Sequence, residues 1–155
     1  LSKYLEGLSE KEYPDQFNFL TASVLSDFVK AENISIDYWG SYEVLYEYNS
    51  LENNYLRFLN NKDNPHLVES GDQLQAKNII VQHAKTSTKD SEGRQDIDLD
   101  SGGKIQLFRD GLVITGSWEK SNGEIIYLDA EGKEIEINRG QTWIQVVPNG
   151  TEITY

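Results

Sequence analysis

The alternation of apolar and polar residues divides the chain into a short helical lead-in and a long β-rich remainder. After a capping Thr21 or Ser23, the next apolar side chains recur at the 3.6-residue period and lie on one helical face, and these are Val24, Leu25, Phe28 and Val29. The pattern predicts a helix over 22–32, after a weaker helical pattern in 1–20. From Asn33 onward the period changes to two, which is typical of a half-buried strand.

The period-two pattern first predicts one long strand and its hairpin partner. Its apolar face contains Ile36, Tyr38, Tyr42, Val44, Tyr46 and Tyr48. We expect a single strand that bends at Gly40, a turn over 49–53, and a returning strand over 54–59. A further strand is predicted over 78–84, and the polar stretch 84–93 after it is predicted to be a mobile loop.

The last third of the chain predicts a series of short strands. These strands are expected over 95–99, 103–108, 111–118, 124–128, 133–137 and 141–147. Between three pairs of them lie Asp110-Gly111, Asn122-Gly123 and Glu131-Gly132, and such residues tolerate the positive φ of tight hairpins. The sequence therefore predicts a mainly β fold, an antiparallel sheet or two-layer β meander with one N-terminal helix packed against it.

The length of 155 residues suits one core, with a boundary near residue 33. We expect 1–33 to be a helical lead-in that joins a further N-terminal domain, and 34–155 to be a β-rich C-terminal domain. The chain begins at Leu1 and has no methionine, so we expect it to be part of a longer protein.

Charge and composition exclude several classes of function. The chain has 26 acidic and 14 basic residues and a formal net charge of -12, which repels nucleic acid. It has no cysteine, which excludes disulfides, thiolate zinc sites and cysteine nucleophiles. No apolar run approaches the roughly 18 residues that a membrane-spanning helix needs.

The acidic run at 96–100 permits two interpretations. Asp96, Asp98 and Asp100 begin like a calcium-binding loop, but Ser101 and Leu107 stand where an EF-hand loop has glycine and glutamate. Because apolar residues alternate with the aspartates, the favoured interpretation is a strand with a solvated acidic face. Cation binding at these aspartates is the less favoured alternative.

No catalytic motif accompanies the two histidines, His66 and His83. The chain lacks a GxSxG nucleophile elbow. Arg94, which follows a glycine, could hold a carboxylate or phosphate, although a pair with Asp96 or another acid is favoured.

The aromatic residues of the strands, with Trp39, Trp118 and Trp143, could form a platform for a carbohydrate. A role in the core is favoured for them, because period-two aromatics in strands are usually buried.

Seven segments in order resemble one known family. They are YLRFLNNKDNPH, LQAKNIIVQ, GRQDIDL, SGGKIQLFRDG, GSWEK, YLDAEGKEIEINRG and GQTWIQVVP, spread over 40–148. Together they resemble the C-terminal domain of the YerB-like lipoproteins of Gram-positive bacteria, a domain of unknown function. The matching positions nominate as ligand-binding candidates Arg57, His66, Asn78, Arg94, Trp118, Gln141, Thr142 and Trp143. The family often has an acid two positions after its histidine, where this chain has Val68.

The resemblance implies a protein outside the cytoplasmic membrane, attached through a lipidated cysteine upstream of this chain. From it and from the missing catalytic motifs we predict a non-catalytic binding or interaction module without a cofactor. Its expected partners are a cell-wall glycan, a peptide, an envelope protein or its own N-terminal domain, and not nucleic acid. The alternatives are part of an envelope hydrolase or transferase, with a site shared with the N-terminal domain, and a purely structural support domain.

Overall fold

The computed structural model describes residues 18–19, 29–38 and 42–155, and every helix or strand assigned within them is a strand. The strands are β1 (Asn18–Phe19), β2 (Val29–Lys30), β3 (Asn33–Asp37), β4 (Glu43–Asn49), β5 (Asn54–Leu59), β6 (Gln75–Ala76), β7 (Asn78–Thr88), β8 (Gln95–Asp98), β9 (Gly103–Arg109), β10 (Leu112–Ser121), β11 (Glu124–Asp129), β12 (Glu136–Ile137), β13 (Thr142–Pro148) and β14 (Ile153–Thr154). The prediction of a mainly β fold is confirmed. In the described ranges, no helix is long and apolar enough to cross a bilayer.

The predicted N-terminal helix over 22–32 is wrong in its described part. Residues 29–30 form β2, which pairs antiparallel with β10, and Ala31 N–H donates to Gly111 O at 2.7 Å. Val29 was expected on the buried helical face, yet it is 62% exposed. Helical periodicity over so short a segment is a weak determinant, and hydrogen bonds to a neighbouring strand override it. Residues 22–28, like most of 1–20, lie outside the described residues.

A five-stranded antiparallel sheet forms the first layer, in the order β14-β3-β4-β5-β6. The single long strand predicted around Gly40 is two strands, β3 and β4, which pair as a hairpin. The connection closes where Tyr38 N–H donates to Tyr42 O at 3.0 Å. Ile36 pairs with Val44, so residues of even number still share one face. The predicted shared face is therefore right for the residues within β3 and β4, although the strand is not continuous and Tyr42, 47% exposed, lies between the two.

A seven-stranded sheet forms the second layer, with a main path of β11-β10-β9-β7-β13. Strand β2 pairs with β10, and β8 pairs with β7. Every pairing in this sheet is antiparallel except that of β13, which returns to lie parallel to β7. Half of the predicted mobile loop over 84–93 is strand, because β7 continues to Thr88 before the chain turns back into β8.

The main core lies between the two layers. From the first layer it includes Ile34, Ile36, Val44, Tyr46 and Tyr55, and from the second it includes Ile79, Val81, Phe108, Val113 and Val147. A second cluster covers the opposite face of the seven-stranded sheet and includes Ile80, Leu107, Trp118, Ile135 and Ile137. Strand β7 is therefore buried on both faces, which explains its nearly continuous apolar run.

Two of the three predicted hairpin turns have positive φ at both residues, whereas at Glu131-Gly132 only the glycine does, with φ 78°. Asp110-Gly111 has φ values of 56° and 72°, and Asn122-Gly123 has φ values of 52° and 88°. Two successive positive φ values are what a type I′ hairpin requires, because its twist matches that of the flanking strands. These turns fix the register of β9, β10 and β11.

Candidate functional site

A buried arginine lies at the edge of the main core. Arg57 is on β5, on the core-facing side that it shares with Tyr55 and Leu59, and it is only 4% exposed. Its cross-strand neighbour is Tyr46 of β4, and Arg57 Nε donates to Tyr46 Oη at 3.2 Å. A charged residue at this position breaks the apolar alternation of the strand, and such breaks concentrate at functional sites.

The aromatic ring of Trp143 lies against the guanidinium of Arg57. Arg57 Cζ is 5.0 Å from the centroid of the Trp143 ring and 5.8 Å from that of the Tyr46 ring. Both distances fall within the range of cation–π attraction. Trp143 is on β13, so this contact joins the two layers at the edge of the core.

The segment after β5 holds His66 beside the same arginine. His66 N–H donates to Arg57 O at 2.9 Å, and Leu74 N–H donates to His66 O at 2.7 Å. The imidazole Nδ1 is hydrogen-bonded to Arg57 Nη1. Because a guanidinium can only donate, Nδ1 is the acceptor and the ring proton is on Nε2. The His66 and Trp143 rings meet edge to face, with centroids 6.4 Å apart.

Gln145 connects the aromatic residues across the two layers. Its Oε1 accepts from Trp143 Nε1 at 2.9 Å and from Tyr46 Oη at 3.0 Å. Its Nε2 donates to Tyr38 Oη, and Tyr38 Oη donates to Val146 O at 3.1 Å. We call Arg57, His66, Trp143, Tyr46, Gln145 and Tyr38 the Arg57 cluster.

The positive charge of this cluster has no acidic partner among the described residues. No described carboxylate lies within 4.0 Å of Arg57. Burial raises the pKa of Tyr46 and of Tyr38, so both phenols stay neutral at physiological pH. Burial also lowers the pKa of His66, and the charge of Arg57 lowers it further. The cluster is therefore one cation surrounded by neutral groups.

Three other candidate residues lie in a separate network at the start of β13. Fully buried Asn78 donates from Nδ2 to Asn138 O at 2.9 Å and to Thr142 Oγ1 at 3.1 Å, and its Oδ1 accepts from Asn138 N–H at 2.9 Å. Exposed Gln141 contributes its carbonyl, which accepts from Lys77 N–H at 2.9 Å. These contacts attach β13 to β7.

Trp118 and Arg94 lie elsewhere. Trp118 is 1% exposed in the second core cluster, and its Nε1 donates to His83 O at 2.8 Å. Arg94 is exposed in the turn before β8 and pairs with Asp90 at 2.6 Å rather than with Asp96. Within the described part of the chain, neither of them is hydrogen-bonded or ion-paired to a residue of the Arg57 cluster.

Two of the three aspartates of the acidic run have described partners within the protein. The carboxylate of Asp98 accepts from Asp100 N–H at 2.9 Å and from Ser101 Oγ at 2.6 Å, and these bonds lower the pKa of Asp98. Asp100 pairs with Lys120 at 2.5 Å. Within the described part of the chain, no group of three or more acidic or histidine side chains is arranged to hold a metal ion.

Three members of the Arg57 cluster were not predicted from the sequence as site residues. Tyr38 and Tyr46 were noted only as strand aromatics, and Gln145 was not singled out although it lies in GQTWIQVVP. The sequence feature that could have identified the site is a polar side chain at a core-facing strand position. Arg57 and Gln145 both have this feature. Period two alone does not show that these positions on β5 and β13 meet.

Comparison with known proteins places the chain among relatives of unknown function. Residues 34–144 match the family described as "Protein of unknown function (DUF3048) C-terminal domain". The chain is 41% identical over 81 residues to the Bacillus subtilis (strain 168) protein named "Putative lipoprotein YerB", a match that covers 52% of this chain and 24% of that protein.

A solved structure supports the same relationship. The crystal structure of the YerB protein from Bacillus subtilis superposes with a TM-score of 0.69 at 30% sequence identity, covering 90% of this chain and 47% of the crystallised one. The chain thus corresponds to less than half of the length of either relative. Because the family match spans more than half of this chain, the chain belongs to the family of DUF3048 C-terminal domains, as the resemblance predicted.

Proposed function

We propose that this chain is a non-catalytic binding module of a cell-envelope protein and that the Arg57 cluster is its binding site. The name of the YerB relative supports a lipoprotein held outside the cytoplasmic membrane. The expected ligand is a cell-wall glycan or peptide. The experiment that tests this proposal needs only the 155-residue chain.

The main support for this proposal is that Arg57, His66 and Trp143 lie in contact with one another. Both rings are partly exposed, whereas the guanidinium beside them is buried. An aromatic face packs against the C–H groups of a sugar or an apolar side chain, and nearby polar groups fix the orientation of the ligand. Tyr42, 47% exposed and 5.8 Å from the Tyr38 ring, extends the aromatic surface.

The chemistry of the cluster favours binding over catalysis. The His66 Nδ1 accepts from a cation, so that nitrogen does not serve as a general base. The raised pKa values of Tyr38 and Tyr46 make both phenols poor nucleophiles. Among the described residues, no serine, threonine or carboxylate is hydrogen-bonded to a side chain of the cluster.

The test is a titration of the ¹⁵N-labelled chain with soluble peptidoglycan fragments, followed by NMR. We expect the largest shift changes at the Trp143 indole and at the His66 backbone amide. Trp143→Ala should weaken binding at least about tenfold, because tryptophan is among the residues whose removal costs most at binding surfaces.

Ile144→Ala is the matched control, because Ile144 is the next residue on β13, exposed, and directed to the opposite face. This variant should bind like the wild-type chain. Equal losses in both variants, no shift changes with any fragment, or turnover of the fragments would each contradict the proposal.

A further inference from the structure

Two buried arginines of this chain differ in what balances their charge. Arg109 is 5% exposed, and its Nη1 lies 2.8 Å from the carboxylate of Asp110. Arg57 is buried to the same degree without a described carboxylate within 4.0 Å. Because burying an unpaired charge is costly, an arginine with no acid beside it among the described residues indicates that a ligand supplies the anion.

The acidic excess of the chain strengthens this contrast. With 26 acidic and 14 basic residues, carboxylates are abundant, yet the described side chains that contact Arg57 are a neutral phenol, a neutral imidazole and an indole. Cation–π contacts with Trp143 and Tyr46 lower the cost of burial, but they leave the net charge unchanged. The site therefore keeps one positive charge.

The remaining donors of the cluster are suited to an oxyanion. Arg57 donates a hydrogen bond from Nε to Tyr46 and from Nη1 to His66, and no described residue accepts a hydrogen bond from Nη2. The tautomer of His66 leaves an N–H on Nε2 of its partly exposed ring. A planar guanidinium and a second N–H donor are the groups that bind a carboxylate.

We propose that the Arg57 cluster binds its ligand through a single carboxylate, which Arg57 neutralises while the body of the ligand packs on Trp143. This inference rests on the proposed binding function and adds the chemical class of the ligand. A monoanion is favoured over a phosphate polymer, because one guanidinium balances one charge and the net charge of -12 repels a polyanion.

The test compares pairs of probes in which only one member has a carboxylate. N-acetylmuramic acid is paired with N-acetylglucosamine, which lacks the lactyl ether and its carboxylate, and N-acetyl-D-alanyl-D-alanine is paired with its C-terminal amide. Calorimetric or NMR titrations give the affinity of each probe. In at least one pair we expect the acid to bind at least about tenfold more tightly than its neutral mate, as for a charge-assisted contact. The pair that shows the difference identifies whether the carboxylate comes from a sugar or from a peptide.

Variants then assign the effect to the guanidinium. Arg57→Met should reduce the acid-to-neutral ratio to about one, whereas Arg139→Met, which removes an exposed arginine, should leave the ratio unchanged. Far-UV circular dichroism and NMR spectra check that each variant is folded. The comparison of probes on the wild-type chain remains decisive if Arg57→Met does not fold.

Each outcome has a distinct meaning. Equal binding of both members of each pair overturns the carboxylate inference and leaves the binding function intact. Tighter binding of glycerol 3-phosphate than of either acid also overturns it, in favour of phosphate. Absence of binding by every probe and by mixed peptidoglycan fragments overturns the binding function, and the carboxylate inference with it.

Discussion

At the scale of single residues, the cost of losing an arginine depends on what remains behind. Asp110 is nearly buried and accepts from Asn53 Nδ2 at 2.8 Å and from Asn138 Nδ2 at 2.7 Å, in addition to Arg109. Removal of Arg109 leaves a buried carboxylate without a cation. Removal of Arg57 leaves only neutral groups, of which Tyr46 keeps its bond to Gln145.

We therefore predict that Arg109→Met destabilises the chain more than Arg57→Met. The first should cost about 3 kcal/mol, at the low end for a broken buried pair because two amides still donate to Asp110. The second should cost about 1 kcal/mol, the scale of neutral hydrogen bonds. Urea unfolding of both variants measures the difference, and a greater cost for Arg57→Met would show that Arg57 is chiefly a structural residue.

His66 gives the stability of the chain a dependence on pH. Its pKa is lowered from 6.5 in the folded state, so the unfolded chain binds the proton more readily. The stabilising contribution is complete above 6.5, and it is lost as the pH falls through the lowered pKa of the folded state. A proton on Nδ1 would also replace the hydrogen bond from Arg57 with a repulsion between two cations.

Urea unfolding across this pH range should show less dependence on pH in His66→Gln than in the wild-type chain. His83→Gln is the matched control, because His83 contacts Gln106 at 3.1 Å on a different strand. The His83→Gln variant should keep the part of the pH dependence of unfolding free energy that His66 contributes. If the unfolding free energy of His66→Gln depends on pH as strongly as that of the wild-type chain, His66 is not the source of this dependence.

At the scale of secondary-structure elements, local chemistry predicted the hairpins and failed at contacts between distant segments. Asp110-Gly111 and Asn122-Gly123 are residue pairs that favour tight hairpin turns, and both have the positive φ values of such turns. The hairpins of β9, β10 and β11 were therefore predictable from the sequence. The hairpin between β3 and β4 has the same side-chain parity as one continuous strand, so periodicity could not separate the two. Strand β2 depends on pairing with β10, which lies far away in the sequence.

The candidate site shows the same limit. The family resemblance predicted Arg57 and Trp143 as ligand-binding residues. No local sequence pattern, however, indicates that β5 and β13 meet at the edge of the core. Their contact depends on the packing of the two layers. Gln145, which connects both, is an ordinary strand residue until that packing is known.

The pairing of β10 with β11 predicts a sharp difference between two glycines. A Cβ on Gly116 would lie 2.0 Å from Leu128 O, a backbone atom of the neighbouring strand, so the strands must move apart. Gly116→Ala should cost about 3 kcal/mol or more, as for severe overpacking. Gly132, at φ +78°, has open space around it, so Gly132→Ala should cost only about 1 kcal/mol, from the strained φ.

Thermal or urea unfolding of these two glycine variants provides the measurement. Similar costs at both positions would mean that β11 is less closely paired with β10 than the register from Gly116↔Asp129 to Ser121↔Glu124 indicates.

At the scale of the whole molecule, charge opposes the compact state. The net charge of -12 is spread over a small chain, and each of the described ion pairs Lys62–Glu47, Arg94–Asp90 and Lys120–Asp100 has at least one exposed member. Exposed pairs contribute little to stability, whereas the repulsion among excess acids acts over the whole surface. Net repulsion should therefore exceed the attraction of these pairs.

Because salt screens both contributions, the sign of its effect reveals which is larger. Raising NaCl from about 10 mM to about 200 mM shortens the screening length from about 30 Å to below 10 Å, so the repulsion among distant acids should weaken most. We expect the free energy of unfolding to rise by about 1 kcal/mol, the energy of a few charge pairs in a high dielectric. Urea unfolding in the presence of EDTA measures this change without a contribution from divalent cations. Choline chloride as a second salt should give the same rise if screening is the cause, and a fall in stability with both salts would show that the ion pairs outweigh the repulsion.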